Sequence, residues 1–173
     1  RRHPLHQPCR GPGDPVICWA LIPIKAADNG KSRLAGVLGA DERLALVSAM
    51  LAHVVEAASS AATISRVFLV GPSRYGLPDH IDLLPDPGKG HNPAVQSALA
   101  QIAEQGPDRV IVIAADLPTV SPHELDLLAV AHADAVAIAP DRHGTGTNAI
   151  SLPLPAAEDF TFGFGPDSYA HHK

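Results

Sequence analysis

Cysteine is scarce in this chain. Cys9 and Cys18 are the only two, and they offer neither a disulfide framework nor metal-site spacing. A reducing cytosol is the natural compartment for such a composition. Net positive charge is lacking too: 13 lysines and arginines stand against 18 acidic residues, a formal charge of -5. That balance argues against a nucleic-acid or anionic-membrane surface, though not against a small anion held by a local basic cluster. No apolar run approaches membrane-spanning length, and no signal-peptide pattern opens the chain. Internal repeats and linkers are absent as well.

What remains is one domain's worth of globular sequence. It has 173 residues, 46% of them hydrophobic and 18% charged, enough for a buried core. Residues 1–15 carry four prolines and no apolar period, and read as a mobile N-terminal tail. His3, His6 and Cys9 are metal-ligand types, but no fourth ligand follows at a suitable spacing. Residues 16–173 read as a single domain.

Within it, apolar runs alternate with helical periods. "VICWALIPI" (Val16 to Ile24) suits a strand buried on both faces. From Asp41, the positions Leu44, Val47, Met50, Leu51, Val54, Val55 and Ala58 recur at helical spacing. Arg66 to Gly71 and the weaker Ile81 to Asp86 are further strands, and residues 92–105 return to a helical period. Arg109 to Asp116 is the strongest strand signal. Ser121 and Glu124 form a capping box with Pro122 at the first helical position. Asp134 to Asp141 and Asn148 to Leu152 read as two more strands. Apolar strands alternating with helices predict an α/β fold, a mostly parallel sheet with helices on both faces. Strand order is not readable from the sequence.

Ligands of open α/β sheets bind beyond the carboxyl ends of the strands. Three segments should therefore share one rim: Lys25 to Arg33, "ADLP" with Asp116, and "PDRHGTGTN". The first nearly spells a P-loop, since Gly30, Lys31 and Ser32 are right for its end. Lys25 stands where the opening glycine belongs. Lys25, Lys31 and Arg33 could neutralise a polyphosphate, or could be a solvated basic loop. Asp116 could hold a divalent metal, or could be a turn or capping aspartate. The "HGTGTN" stretch (His143 to Asn148) precedes a strand, so it is not a dinucleotide fingerprint. "FGFGPDS" (Phe162 to Ser168) could turn into a helix start that receives an anion, or could be an ordinary loop. Together these segments suggest a triphosphate, a magnesium ion and a second anionic substrate around one crevice.

"PIKAADNGKSRLAG", "AADLP", "APDRHGTGTNAI" and "FGFGPDSYAHH", in that order, resemble the guanylyltransferases of deazaflavin-coenzyme biosynthesis. These belong with the molybdenum-cofactor guanylyltransferases in a wider nucleotidyltransferase group. The resemblance covers about residues 16–172. It implies a Rossmann-like nucleotidyltransferase fold and an enzyme that uses Mg2+. That enzyme would transfer a guanylyl group from GTP to a three-carbon phosphorylated acid: 2-phospho-L-lactate, phosphoenolpyruvate or 3-phosphoglycerate. By the same resemblance, Lys25, Lys31 and Arg33 would contact the nucleotide phosphates and Asp116 would bind the metal. Lys89, Gly90 and Asn92 would lie along the nucleoside. Thr147, Gly165 and Ser168 would hold the acceptor's phosphate or carboxylate.

Three departures accompany the resemblance. The family continues to a late acidic motif of Asp-x-Asp-Thr-Pro type, which these residues do not include, so weak magnesium binding is expected. Asp167 stands where a small residue is usual, and His91 where leucine is common. Two other functions compete with this one: a nucleotidyltransferase acting on a sugar phosphate or pterin, and a non-catalytic nucleotide-binding domain. The first is disfavoured because its glycine-rich opening after the first strand is absent.

Overall fold

A computed structural model of the chain describes residues 16–24, 36–131, 134–157 and 159–173. The elements run β1 (Cys18–Pro23), α1 (Ala40–Ser60), β2 (Ile64–Gly71), β3 (Asp82–Pro85), α2 (His91–Ala103) and β4 (Arg109–Ile113). They continue with α3 (Pro122–Val130), β5 (Ala137–Pro140), β6 (Thr147–Pro153), α4 (Leu154–Ala157) and α5 (Ser168–His172). The expected strands are all present; β1, β3, β4 and β5 are shorter than expected, while β2 and β6 extend beyond their expected bounds. The run from Arg109 leaves the sheet after Ile113, so Asp116 lies just beyond the strand instead of at its last position.

The sheet order is β3-β2-β1-β4-β6-β5. β1 pairs in parallel with β2 and β4, and β2 with β3. β6 runs antiparallel to both β4 and β5, so β5 points the same way as β1 through β4. The sheet is therefore mostly parallel, with one reversed strand inserted near an edge. That reversal matters for the site. It brings the amino end of β6 to the same rim as the carboxyl ends of β1, β4 and β5.

Period-two alternation divides the core. Ala20, Ile22, Val67, Leu69, Ile111 and Ile113 pack with Leu51, Val54 and Ala58 of α1 and with Leu125 and Ala129 of α3. The intervening Leu21, Phe68, Val70, Val110 and Val112 pack with Val95, Leu99 and Ile102 of α2. β1 is apolar throughout, and so is β4 after Arg109, because both faces of these central strands are covered. The α1 stripe departs from expectation at its amino end. Leu44 is exposed, and Val47 and Met50 are only half-buried.

Polar contacts tie the layers. Ser121 Oγ accepts from Glu124 N at 3.3 Å, and Ser121 N donates to Glu124 Oε2 at 2.8 Å, completing the expected capping box of α3. Asp126 of α3 accepts from Thr63 N at 2.8 Å and Thr63 Oγ1 at 2.7 Å, pinning α3 to the turn between α1 and β2. Arg109 is buried and donates to Ser151 Oγ at 2.8 Å, linking β4 to β6. Among the described residues, no helix is long and apolar enough to cross a membrane.

Candidate active site

The rim of the sheet opens into a cleft of about 510 Å³. Pro23 and Ile24 from the end of β1 and Val47 and Met50 from α1 form its apolar side. The half-burial of those α1 side chains is thus part of the cleft wall. Ile24 is held by a hydrogen bond from its N–H to Val70 O at 2.8 Å. Gly71 lets the chains approach this closely, since a Cβ there would lie 2.6 Å from Ile24 Cγ2 and 3.0 Å from the Ile24 carbonyl oxygen. This contact anchors the point from which residues 25–35 depart. Lys25, Lys31 and Arg33 lie in that segment, outside the described residues.

Asp116 lines the cleft beyond β4 and is exposed to it. Ala114 N–H donates to Asn148 O at 2.8 Å, so β4 stays paired with β6 almost to the aspartate. A second carboxylate, Asp141, also lines the cleft. Its Oδ1 accepts from Thr145 N at 2.9 Å and His143 N at 3.1 Å, closing the turn between β5 and β6. These backbone donors, Thr145 foremost, hold the Asp141 carboxyl below the usual carboxylate range. A Cβ on Gly146 would meet Asp141 Oδ2 at 2.9 Å, so the glycine leaves room for that carboxylate in the turn.

Thr147, Gly165 and Ser168 line the cleft together with Asp116. Thr147 and Ser168 are buried and Gly165 is exposed. The helix after the turn, α5, has only five residues, so the expected anion site at a helix start has little dipole behind it. Asp167 is exposed, with φ of 55° in the left-handed region. Aspartate tolerates that conformation better than most residues, and glycine adopts it freely. A small residue at this position therefore has a backbone reason.

At the start of α2, His91 lines the cleft and meets Phe164 edge-on, with ring centroids 5.5 Å apart. Gly90 precedes the helix at φ 101°, and Lys89 beside it is exposed. The Asn92 amide is engaged by the far end of the chain. Its Nδ2 donates to Phe164 O at 3.2 Å, and its Oδ1 accepts from Phe164 N at 2.9 Å. Asn92 thus clips the Phe164 strap onto α2.

Sequence reasoning passed over His172, Phe164 and Asp141. His172 is buried and contacts both Thr147 and Gly163. Its one signal was the unassigned histidine pair that closes "FGFGPDSYAHH". Among the described residues, no three His, Cys, Asp or Glu side chains gather as a metal-binding group.

The family described as "Guanylyl transferase CofC like" matches residues 18–172. A phosphoenolpyruvate guanylyltransferase of Chloroflexus aurantiacus is 40% identical over 159 residues, covering 88% of this chain and 77% of that protein. One from Sphaerobacter thermophilus is 37% identical, covering 89% of this chain and 76% of that protein. Among solved structures, a nucleotidyl transferase from Methanothermobacter thermautotroptrophicus superposes with a TM-score of 0.60 at 17% identity, covering 88% of this chain and 79% of that one. At that identity the likeness speaks for the fold, and the fold is that of a nucleotidyltransferase. The sheet and the near-complete family match agree: the chain belongs to the CofC-like guanylyl transferase family.

Proposed function

We propose that this chain transfers a guanylyl group from GTP to a three-carbon phosphorylated acid, with phosphoenolpyruvate the foremost acceptor, and releases pyrophosphate. The observation that carries the proposal is the convergence of Asp116 with Thr147, Gly165 and Ser168 on one cleft. An acidic residue for the nucleotide side and a polar, backbone-rich pocket for a small anion stand within the same walls. The names of the curated relatives supply the acceptor class and the guanine nucleotide.

The chemistry asks little proton transfer of the protein. A phosphate monoester has a second pKa near 6, so the acceptor is mostly dianionic at neutral pH and needs no base. One of its oxygens attacks the α-phosphorus of GTP in line. The new P–O bond forms as the α–β bridging bond breaks, and pyrophosphate leaves with the electron pair. The protein's task is to position two anions and offset their repulsion. Lys25, Lys31 and Arg33 take the triphosphate in this reading, with Lys89 and Gly90 along the nucleoside beside Asn92. Thr147, Gly165 and Ser168 take the acceptor.

The donor set suits magnesium, which takes one or two carboxylates and completes its sphere with substrate oxygens and water. Asp116 is the residue that would hold it in this reading, and Asp141 lines the same cleft. When bound, the ion supplies neutralisation of the triphosphate charge. The cytosolic setting expected from the cysteine content belongs to the same proposal.

The test is pyrophosphate release with magnesium, each of the four nucleoside triphosphates, and a panel of phosphoenolpyruvate, 2-phospho-L-lactate and 3-phosphoglycerate. Release with GTP that depends on one of these acids is expected. Release that favours another nucleotide, or that ignores the acceptor, would sink the proposal.

A further inference from the structure

His172 belongs to no part of the chemistry above, yet it is buried and hydrogen-bonded at the end of the cleft that Thr147 lines. Its Nε2 lies 2.9 Å from Gly163 N, and its Nδ1 lies 2.9 Å from Thr147 Oγ1. The first contact settles the second. A backbone N–H can only donate, so Nε2 must carry the lone pair. A neutral imidazole then has its proton on Nδ1, and Nδ1 donates to Thr147 Oγ1. A hydroxyl that accepts from the ring keeps its own hydrogen for another partner, and Thr147 lines the cleft.

The ring's surroundings favour that neutral tautomer. His172 is 6% exposed. Phe160 stacks on it at a centroid distance of 5.8 Å, and Phe164 meets it edge-on at 5.0 Å. Burial lowers its tendency to protonate, with the nearby His171 adding to the effect. The strap that carries Gly165 and Ser168 is also fastened at Phe164 by Asn92 and at Tyr169, whose N–H donates to Thr145 O at 3.0 Å. Gly163 is thus one of three ties, and His172 is the group that couples this strap to Thr147.

We infer that His172 is a positioning residue: as the Nδ1–H tautomer it turns the Thr147 hydroxyl into a fixed donor toward the anionic acceptor while tying down Gly163. The inference rests on the proposed acceptor site and adds a residue to it. A hydroxyl free to rotate must be ordered when the anion arrives, whereas one held by His172 is ordered beforehand.

Two measurements test this. The first is the ¹⁵N NMR signature of the His172 ring in the unliganded protein at neutral pH, which needs no turnover. A protonated Nδ1 and an unprotonated Nε2 are expected. The opposite tautomer, or an imidazolium, would overturn the inference whatever the acceptor proves to be. The second is a double-mutant cycle on the KM for phosphoenolpyruvate. Thr147→Val should raise it by about tenfold or more, the loss expected for a hydrogen bond to a charged group. His172→Gln keeps an acceptor near Gly163 but loses the Nδ1 donor, and should raise it several-fold. His172→Asn restores a donor near the Nδ1 position and should recover most of that loss. In the Thr147→Val background, His172→Gln should add nothing further. Equal penalties in both backgrounds, or a KM for GTP that moves as far as that for the acceptor, would mean a general structural role and would overturn the inference. Absence of any transfer by the unaltered protein would instead sink the proposed function, and the NMR result would still decide the tautomer.

Discussion

Asp116 and asparagine have nearly the same shape and differ by one charge. Asp116 sits exposed in the cleft beyond β4, away from the core. Asp116→Asn should therefore leave the thermal midpoint close to its original value. Its kcat/KM should fall by at least about a hundredfold, the scale of removing one electrostatic element from a phosphoryl-transfer site. Near-normal turnover in limiting magnesium would remove Asp116 from the metal role. Asp167 makes the contrasting case, because both its charge and its backbone count. At φ 55° it adopts a conformation that costs an ordinary L-residue roughly 1–2 kcal/mol and an aspartate less. Asp167→Gly should raise stability slightly and lower the acceptor KM by removing a like charge near Ser168. Denaturation curves and acceptor titrations would check the two effects separately. An unchanged KM would show that solvent already screens this carboxylate.

At the level of elements, the junction between β1 and β2 sets the point from which residues 25–35, proposed to take the triphosphate, depart. Gly71 and Ile24 touch across it. Gly71→Ala would force its Cβ against the Ile24 carbonyl, and overpacking of that kind costs about 1–3 kcal/mol. The substitution should reduce stability in a urea titration and weaken GTP handling more than acceptor handling. That asymmetry is expected because residues 25–35 leave from Ile24, while the strap proposed to hold the acceptor is fastened from α2 and the turn between β5 and β6. A variant that loses both affinities equally would argue that the disturbance spreads through the sheet. α1 and α3 differ in how clearly their signals read. The start of α3 was plain because a capping box is local, with Ser121 and Glu124 three residues apart. The amino end of α1 looked like core because Leu44, Val47 and Met50 keep the apolar period. That period cannot distinguish a side chain facing the core from one lining a cleft.

For the whole molecule, the shifted groups predict how stability follows pH. His172 is held neutral by burial, so its folded pKa lies below the unfolded value of about 6.5. As pH falls below 6.5, the unfolded chain takes up this proton first and stability declines. Glu124, Asp126 and Asp141 have carboxyl pKa values lowered by hydrogen bonds, chiefly from Ser121, Thr63 and Thr145. Each contributes stability above its unfolded pKa of about 4, lost as pH drops through the folded value. On the alkaline side, burial pushes the Cys18 thiol up to about 12. Its contribution is present below the unfolded pKa of about 8.5 and is lost as pH rises from there toward 12. Stability should therefore plateau between about pH 6.5 and 8.5 and fall on both sides. Thermal midpoints across pH would show this, and His172→Gln should flatten the decline just below 6.5. A midpoint that rises on acidification through pH 6 would contradict the burial of His172.

The fold class and the family were legible because their determinants are local. Strands apolar on both faces, helical periods and the Ser121–Glu124 cap depend on neighbours a few residues apart. The motifs around Lys25, Asp116 and Thr147 carried enough identity to point to a nucleotidyltransferase. What the sequence could not contain was who meets whom. No residue of β6 announces that it inserts between β4 and β5 in the opposite direction, because hydrogen-bonding groups of the backbone are the same in every strand. That insertion brings Thr147 to the rim beside Asp116. The clip of Asn92 on Phe164 spans 72 residues, and the pairing of Thr147 with His172 spans 25. Such contacts exist only after the sheet has formed, since the cost of closing long loops is met by packing elsewhere in the core. Local chemistry in the chain pointed to the family and marked the segments; the tertiary structure alone decided which of them share a cleft and that a buried histidine stands behind Thr147.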